Sequence, residues 1–190
     1  MSAESRRAAA ERLRDAFVAE KGEAWIRFQG RSMAPMLCDG DMLRVRHGAS
    51  GLARGAIVVF NDGDTTIVHR FLYRRRHGSV LVTKGDNAWR IDRPFAPERL
   101  IGTVCEIRRG DDRIELDRGG WRWVSRGIAW TSLLEGIAFA CAAALRRRCL
   151  PRRLVGRIGE ARALAAIARC RRAAIDRLLR AMPSTDVGTA

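Results

Sequence analysis

The sequence predicts a mainly β protein: a compact antiparallel β domain followed by a basic helical C-terminal region. Between Trp25 and Asp117, short apolar runs are separated by Gly and Asp turns, with no helical period between them. After Gly119-Gly120, long Ala-rich apolar runs of helical period take over. The charge divides at the same place. Of the formal net charge of +15, roughly +11 falls from Arg118 onward, where 15 Arg stand against 4 acids. With 190 residues, 47% of them hydrophobic, the chain has enough material for one domain with a real core plus an appendage. The expected division is 1–24, an N-terminal helix; 25–117, the β-rich domain; and 118–190, the basic helical region with a polar tail.

In chain order, residues 4–20 carry Ala8, Leu13, Ala16 and Phe17 at helical spacing, with Gly22 just beyond. "WIRF" opens the β grammar and leads into the turn around Ser32. "MLRVRH" alternates apolar and basic residues. "GAIVVFND" is a buried strand closed by Asn-Asp-Gly, and "TTIVHRFLYRR" is the strand that returns from it. A His77-Gly78 turn precedes "SVLVTKGD", and "LIGTVCEIRR" turns through Gly-Asp-Asp into "RIELDR".

The C-terminal region opens with Gly127–Leu145, 19 mostly apolar residues flanked by Arg126 and Arg146–Arg148. That approaches the length of a membrane span, but Glu135 near its middle would cost about 2.5–3.5 kcal/mol on insertion scales. An interfacial or partner-packed helix is as well supported by the sequence. After Pro151, a second helix over about 157–182 places Ile158, Leu164, Ile167, Ala168, Ile175, Leu178, Leu179 and Met182 on one side, with seven Arg mainly off that stripe. Such a helix suits an anionic membrane surface or a partner. Trp121, Trp123 and Trp130, interleaved with Arg122 and Arg126, suit an interfacial belt or a cover for the β domain. No nucleic-acid motif accompanies them, so nucleic acid is not the expected partner.

The five cysteines (Cys38, Cys105, Cys141, Cys149 and Cys170) form no CxxC or Cys/His metal pattern, and no metal or other cofactor is expected. Free scattered thiols fit a reducing compartment. The first 22 residues contain no apolar signal-peptide core, so the expected location is cytoplasmic, with the C-terminal helices available for membrane association.

The chemistry centres on "FQGRSMAPMLCDGDML", residues 28–43. A hydrolytic serine needs a base, a group that fixes the base's tautomer, and donors for the oxyanion. Ser32 is the candidate nucleophile and His69, inside an alternating strand, the candidate base. "VTKGDNAWRIDRP" supplies two carboxylates, Asp86 and Asp92, either of which could orient the imidazole. His47 and His77 lie beside turn glycines and read as surface residues. Lysine is scarce, at Lys21 and Lys84 only, and Lys84 is the rival base; it would need desolvation to act near neutral pH, whereas histidine would not.

"GRSMAPML" with "GDML", then "GAIVVF", "VHR", "TKGDN…D" and "LIGTV", together resemble the signal peptidase I superfamily of S24/S26-like serine peptidases. Among its branches they are most similar to the endoplasmic-reticulum and archaeal type, in which a histidine stands where the bacterial type has a lysine. The resemblance spans about residues 28–105. It implies Ser32 as nucleophile, His69 as general base, Asp92 as the group orienting His69, and Asp86 as a brace. Met33 and Pro35 would shape the substrate pocket, and the Ser32 amide would join the oxyanion hole. It further implies cleavage after small residues, with a β-edge holding the extended substrate.

Three features depart from that pattern: no N-terminal membrane anchor, a basic C-terminal region of about 70 residues, and Trp89-Arg90 inside the "GDNAWRID" box. The expected function is a serine endopeptidase acting on precursor or leader peptides. The alternative is a non-catalytic peptidase-like scaffold that binds anionic membrane or nucleic acid through its basic helices. A self-cleaving regulator is a third reading, from related Ser-Lys proteins that cut their own linkers.

Overall fold

The structure is a computed structural model and describes residues 22–49, 52–118, 120–149, 169–170 and 173–180. Among the described residues, seven strands form one antiparallel sheet: β1 (Glu23–Arg27), β2 (Met42–His47), β3 (Ile57–Asp62), β4 (Thr65–Arg75), β5 (Val80–Lys84), β6 (Leu100–Arg109) and β7 (Asp112–Glu115). Each corresponds to one of the apolar runs separated by turns. The spatial order is β1-β2-β6-β3-β4-β5, with β7 paired to β6. β6 is the hub. It pairs β2 along Gly102–Arg108, β3 through Leu100–Thr103 and β7 through Glu106–Arg109. Register shifts at Arg44/Val45 and Val59/Phe60 bend these ladders, which lets one long strand serve three partners.

Inward-facing residues form two apolar clusters. The larger gathers Met33, Met36 and Leu37 from the Ser32 turn with Leu43, Val45, Ile57, Val59, Val104 and Ile107. The smaller gathers Val58, Phe60, Phe71, Leu81, Phe95 and Leu100. At about 1.5–3 kcal/mol for each large side chain fully removed from water, these clusters fix the strand register, since a one-residue slip would turn each set to the opposite face of the sheet.

The helix α1 (Trp121–Cys149) starts six residues before the apolar run that predicts it. Its buried face carries Trp121, Ser125, Ile128, Ala129, Ser132 and Glu135. This face lies on the β domain: a Cβ at Gly55 would meet Ser125 O at 2.4 Å, and one at Gly136 would meet Ile91 Cγ1 at 2.6 Å. No helix among the described residues is long and apolar enough to cross a membrane. The expected helix over 4–20 lies outside the described residues. Of the one expected over 157–182, residues 169–170 and 173–180 are described and helical. Ile175 from this stretch enters the larger core cluster and Leu179 packs against it.

Candidate active site

The site is built from three segments: the turn after β1, the middle of β4, and the chain that leaves β5. Ser32 is exposed at the tip of its turn, while Met33, Met36 and Leu37 are fully buried and anchor it. The turn closes on itself through Leu37 N–H donating to Met33 O at 3.1 Å, and the Ala34–Pro35 peptide bond is cis. Its base is held by Gly30 N–H donating to Asp39 Oδ1 and Cys38 N–H donating to Asp41 Oδ2, both at 2.8 Å. Asp41 is in turn paired with Arg109 of β6 at 2.8 Å. An exposed hydroxyl is thus carried on a stiff support.

The loop after β5 clamps this turn. Asn87 N–H donates to Ser32 O at 2.7 Å, Asn87 Nδ2 donates to Arg31 O at 3.0 Å, and Asp86 N–H lies 3.4 Å from Met33 Sδ. Gly85 sits in the narrowest place. A Cβ built there would stand 2.7 Å from Ser32 O and 3.0 Å from His69 Nε2, closer than side chains ordinarily approach. The Ser32 carbonyl and the outer nitrogen of His69 therefore flank a residue that has no side chain.

His69 comes from β4, where it pairs with Val58 of β3. Phe60 meets the imidazole edge-on at 6.4 Å between ring centres, and Phe60 itself stacks on Phe95 at 4.1 Å. The side chain is 12% exposed, so a small part of the ring stays open to solvent. Nδ1 lies 2.6 Å from Asp92 Oδ2. The same oxygen accepts from Thr83 Oγ1 at 2.7 Å, and Asp92 N–H donates to Thr83 O at 3.0 Å. The loop from Asp86 to Phe95 returns alongside β5, bridging Phe95 to Leu81, and this return brings Asp92 beside Thr83. Thr83 pairs with Phe71, two residues beyond His69 on the same face of β4, which sets the carboxylate opposite the imidazole.

Asp86 does something else. Its two oxygens accept from Arg70 Nε at 2.8 Å and Nη2 at 2.6 Å, with both side chains fully buried. Arg70 Nη1 also donates to Gly55 O at 2.7 Å. Of the two carboxylates that the sequence offers for the imidazole, it is Asp92 that meets it, while Asp86 grips the residue next to it. Lys84 turns to the opposite face from Thr83 and pairs with Glu135 of α1 at 2.8 Å. Met33 is fully buried against the protein, whereas Pro35 is half-buried at the surface of the turn.

The Peptidase S24-like family model matches residues 2–105, more than half of the chain. The chain belongs to that family. No curated protein matches it. The S24-like match ends at Cys105 in β6, so β7 and α1, with Glu135, lie beyond it.

Several residues that shape this candidate site are not evident in the sequence motifs. Thr83 reads as a strand residue, Gly85 as a turn residue, and Arg70 as the polar half of an alternation. The signal for Arg70 was present in "TTIVHRFLYRR": a charge flanked by His69 and Phe71 in a strand this apolar needs a buried acid as partner. Glu135 in an otherwise apolar helix carries the same signal for a cation elsewhere.

Proposed function

We propose that this S24-like protein is a serine endopeptidase of Ser-His-Asp type, cleaving precursor or leader peptides after small residues. The observation that carries the reading is the 2.6 Å contact between His69 Nδ1 and Asp92 Oδ2, with Nε2 directed to the side where Ser32 lies. With Nδ1–H donating to the carboxylate, Nε2 keeps the lone pair that a general base requires. Ser32 Oγ attacks the scissile carbonyl while Nε2 takes its proton. The imidazolium then protonates the leaving amine, and water activated by the same nitrogen releases the acyl group. Asp92 stabilises the imidazolium without taking the proton, and Thr83 holds the carboxylate in register. The Ser32 N–H is the oxyanion donor of this mechanism. β1 leads into Ser32 from the end of the sheet path, which suits an extended substrate aligned by backbone hydrogen bonds.

The test is mass spectrometry of a peptide library containing Ala-x-Ala steps, incubated with wild type, Ser32→Ala and His69→Ala. Cuts after small residues by the wild type that vanish in both variants are the expected result. Undiminished cutting by either variant, or a wild type that cuts nothing including itself, overturns the reading.

A further inference from the structure

The outer face of α1 is apolar where the inner face already has its partner. Trp123, Trp130, Leu134 and Ile137 are 72%, 53%, 62% and 48% exposed. Their spacing of seven, four and three residues puts them in one line along the helix, opposite the buried Ser125, Ser132 and Glu135. Arginines accompany the tryptophans. Arg126 lies over the Trp123 ring at 5.2 Å, and Arg54 reaches from the β domain over Trp130 at 4.1 Å.

Next to this line is a cleft of about 260 Å³, lined among others by Arg46, Arg54, Arg122 and Arg126 with Thr103 and Asp117. Arg46 is committed to Glu23 and Asp117, which leaves the cleft's acid already neutralised. Thr103 Oγ1 is buried with no hydrogen-bond partner among the described residues. Arg54, Arg122 and Arg126 therefore present guanidinium groups at the foot of the tryptophan line, a donor set suited to a phosphate monoanion.

We propose that this face of α1, with the arginine cleft beside it, seats the protein on an anionic phospholipid surface. The tryptophans lie at headgroup depth, Leu134 and Ile137 enter the acyl boundary, and the arginines engage lipid phosphates. Two observations favour lipid. The aliphatic half of the line has no role against a polyphosphate strand. The net charge of +15, concentrated in this C-terminal part of the chain, complements an anionic plane. The helix lies on the surface rather than crossing it, consistent with one face being occupied by the β domain and with its limited apolarity. The inference stands independently of the cleavage chemistry, because none of these residues belongs to the Ser32–His69–Asp92 group.

The test is co-sedimentation of the full chain with vesicles of phosphatidylcholine alone and of equal parts phosphatidylcholine and phosphatidylglycerol, at low and high salt. Wild type is expected on the anionic vesicles only, less strongly at high salt. Trp123→Ala/Trp130→Ala is expected to weaken binding by about tenfold or more. Arg54→Gln/Arg126→Gln is expected to weaken it by about fivefold for each arginine lost from the surface. Circular dichroism of both variants checks that these exposed substitutions leave the fold intact. Equal binding by the tryptophan variant, binding to a DNA duplex in place of vesicles, or a dimer that buries the tryptophans in the absence of lipid would each overturn the proposal.

Discussion

Lys84 Nζ lies 2.8 Å from Glu135 Oε2, with the two side chains only 0% and 3% exposed. This pair joins β5, one residue before Gly85, to a helix beyond the family match. It explains a charge near the middle of an apolar helix, since Glu135 neutralises a lysine that the β domain buries. It also ties the face of β5 opposite Thr83 to α1, whose Gly136 packs on Ile91 next to Asp92.

Removing one member of such a pair leaves a buried charge uncompensated. Glu135→Ala is expected to lower stability by about 3–5 kcal/mol in urea unfolding. The double variant Lys84→Met/Glu135→Leu, which replaces both charges by apolar volume, is expected to recover most of that loss. The double variant also tests the base. It should retain substantial cleavage, because Lys84 serves packing; a well-folded double variant with no cleavage would transfer the base role from His69 to Lys84.

The two carboxylates separate by their partners. Asp86 neutralises the fully buried Arg70, so Asp86→Asn is expected to cost about 3–5 kcal/mol of stability. Asp92 is partly exposed and meets the imidazole, so Asp92→Asn should leave the unfolding midpoint close to wild type. It should instead reduce kcat by about three to four orders of magnitude, because an amide donor there favours the wrong imidazole tautomer. Comparing urea midpoints with kcat for the two variants decides the matter. A stable Asp86→Asn beside an unfolded Asp92→Asn would reverse the assignment.

Gly85→Ala introduces a methyl group 2.7 Å from the Ser32 carbonyl oxygen and 3.0 Å from His69 Nε2. The backbone of the Ser32 turn or the imidazole must shift to admit it. A displacement of this size at the proposed nucleophile and base is expected to lower kcat by about a hundredfold. The bulk of the core should persist, and near-ultraviolet circular dichroism should stay close to that of the wild type. Full activity in Gly85→Ala would mean that Ser32 and His69 do not need the closeness seen here.

Much of the architecture was legible because the β signals are local. Seven apolar runs bounded by Gly and Asp gave seven strands, and the change of period after Gly119-Gly120 marked the start of the helical part. The candidate site was legible as a motif order, Ser32 then His69 then Asp86 and Asp92. What the sequence left open were pairings across long separations. Whether Asp86 or Asp92 meets His69 depends on how the loop after β5 folds back along Thr83, and a spacing of six residues does not determine that. The Lys84–Glu135 pair spans 51 residues and reaches from strand to helix, so neither partner identifies the other in the sequence. The face that α1 buries was ambiguous for a related reason. Its tryptophans fall on both sides: Trp121 is in the core while Trp123 and Trp130 face outward.

At the far edge of the sheet, Glu23 accepts from Arg44 Nη1 at 2.7 Å and from Arg46 Nε at 2.9 Å. Partial burial pushes its carboxyl upward, but the bonds from Arg46 and Arg44 outweigh this and hold it below the ordinary value of 4.5. A carboxylate lowered in the folded state binds its proton more readily when unfolded. It therefore contributes stability above its unfolded pKa, and that contribution is lost as pH falls through the folded value. Because Glu23 and its arginines are partly exposed, the contribution is expected to be below about 1 kcal/mol and to shrink with added salt. Glu23→Gln should therefore be slightly less stable than wild type near neutral pH, and the two should converge once both are well into the acid range. Urea midpoints of the pair, followed from neutral pH downward, measure this. A difference that stays constant or widens toward acid would show that the carboxylate's charge is not what holds β1 to β2.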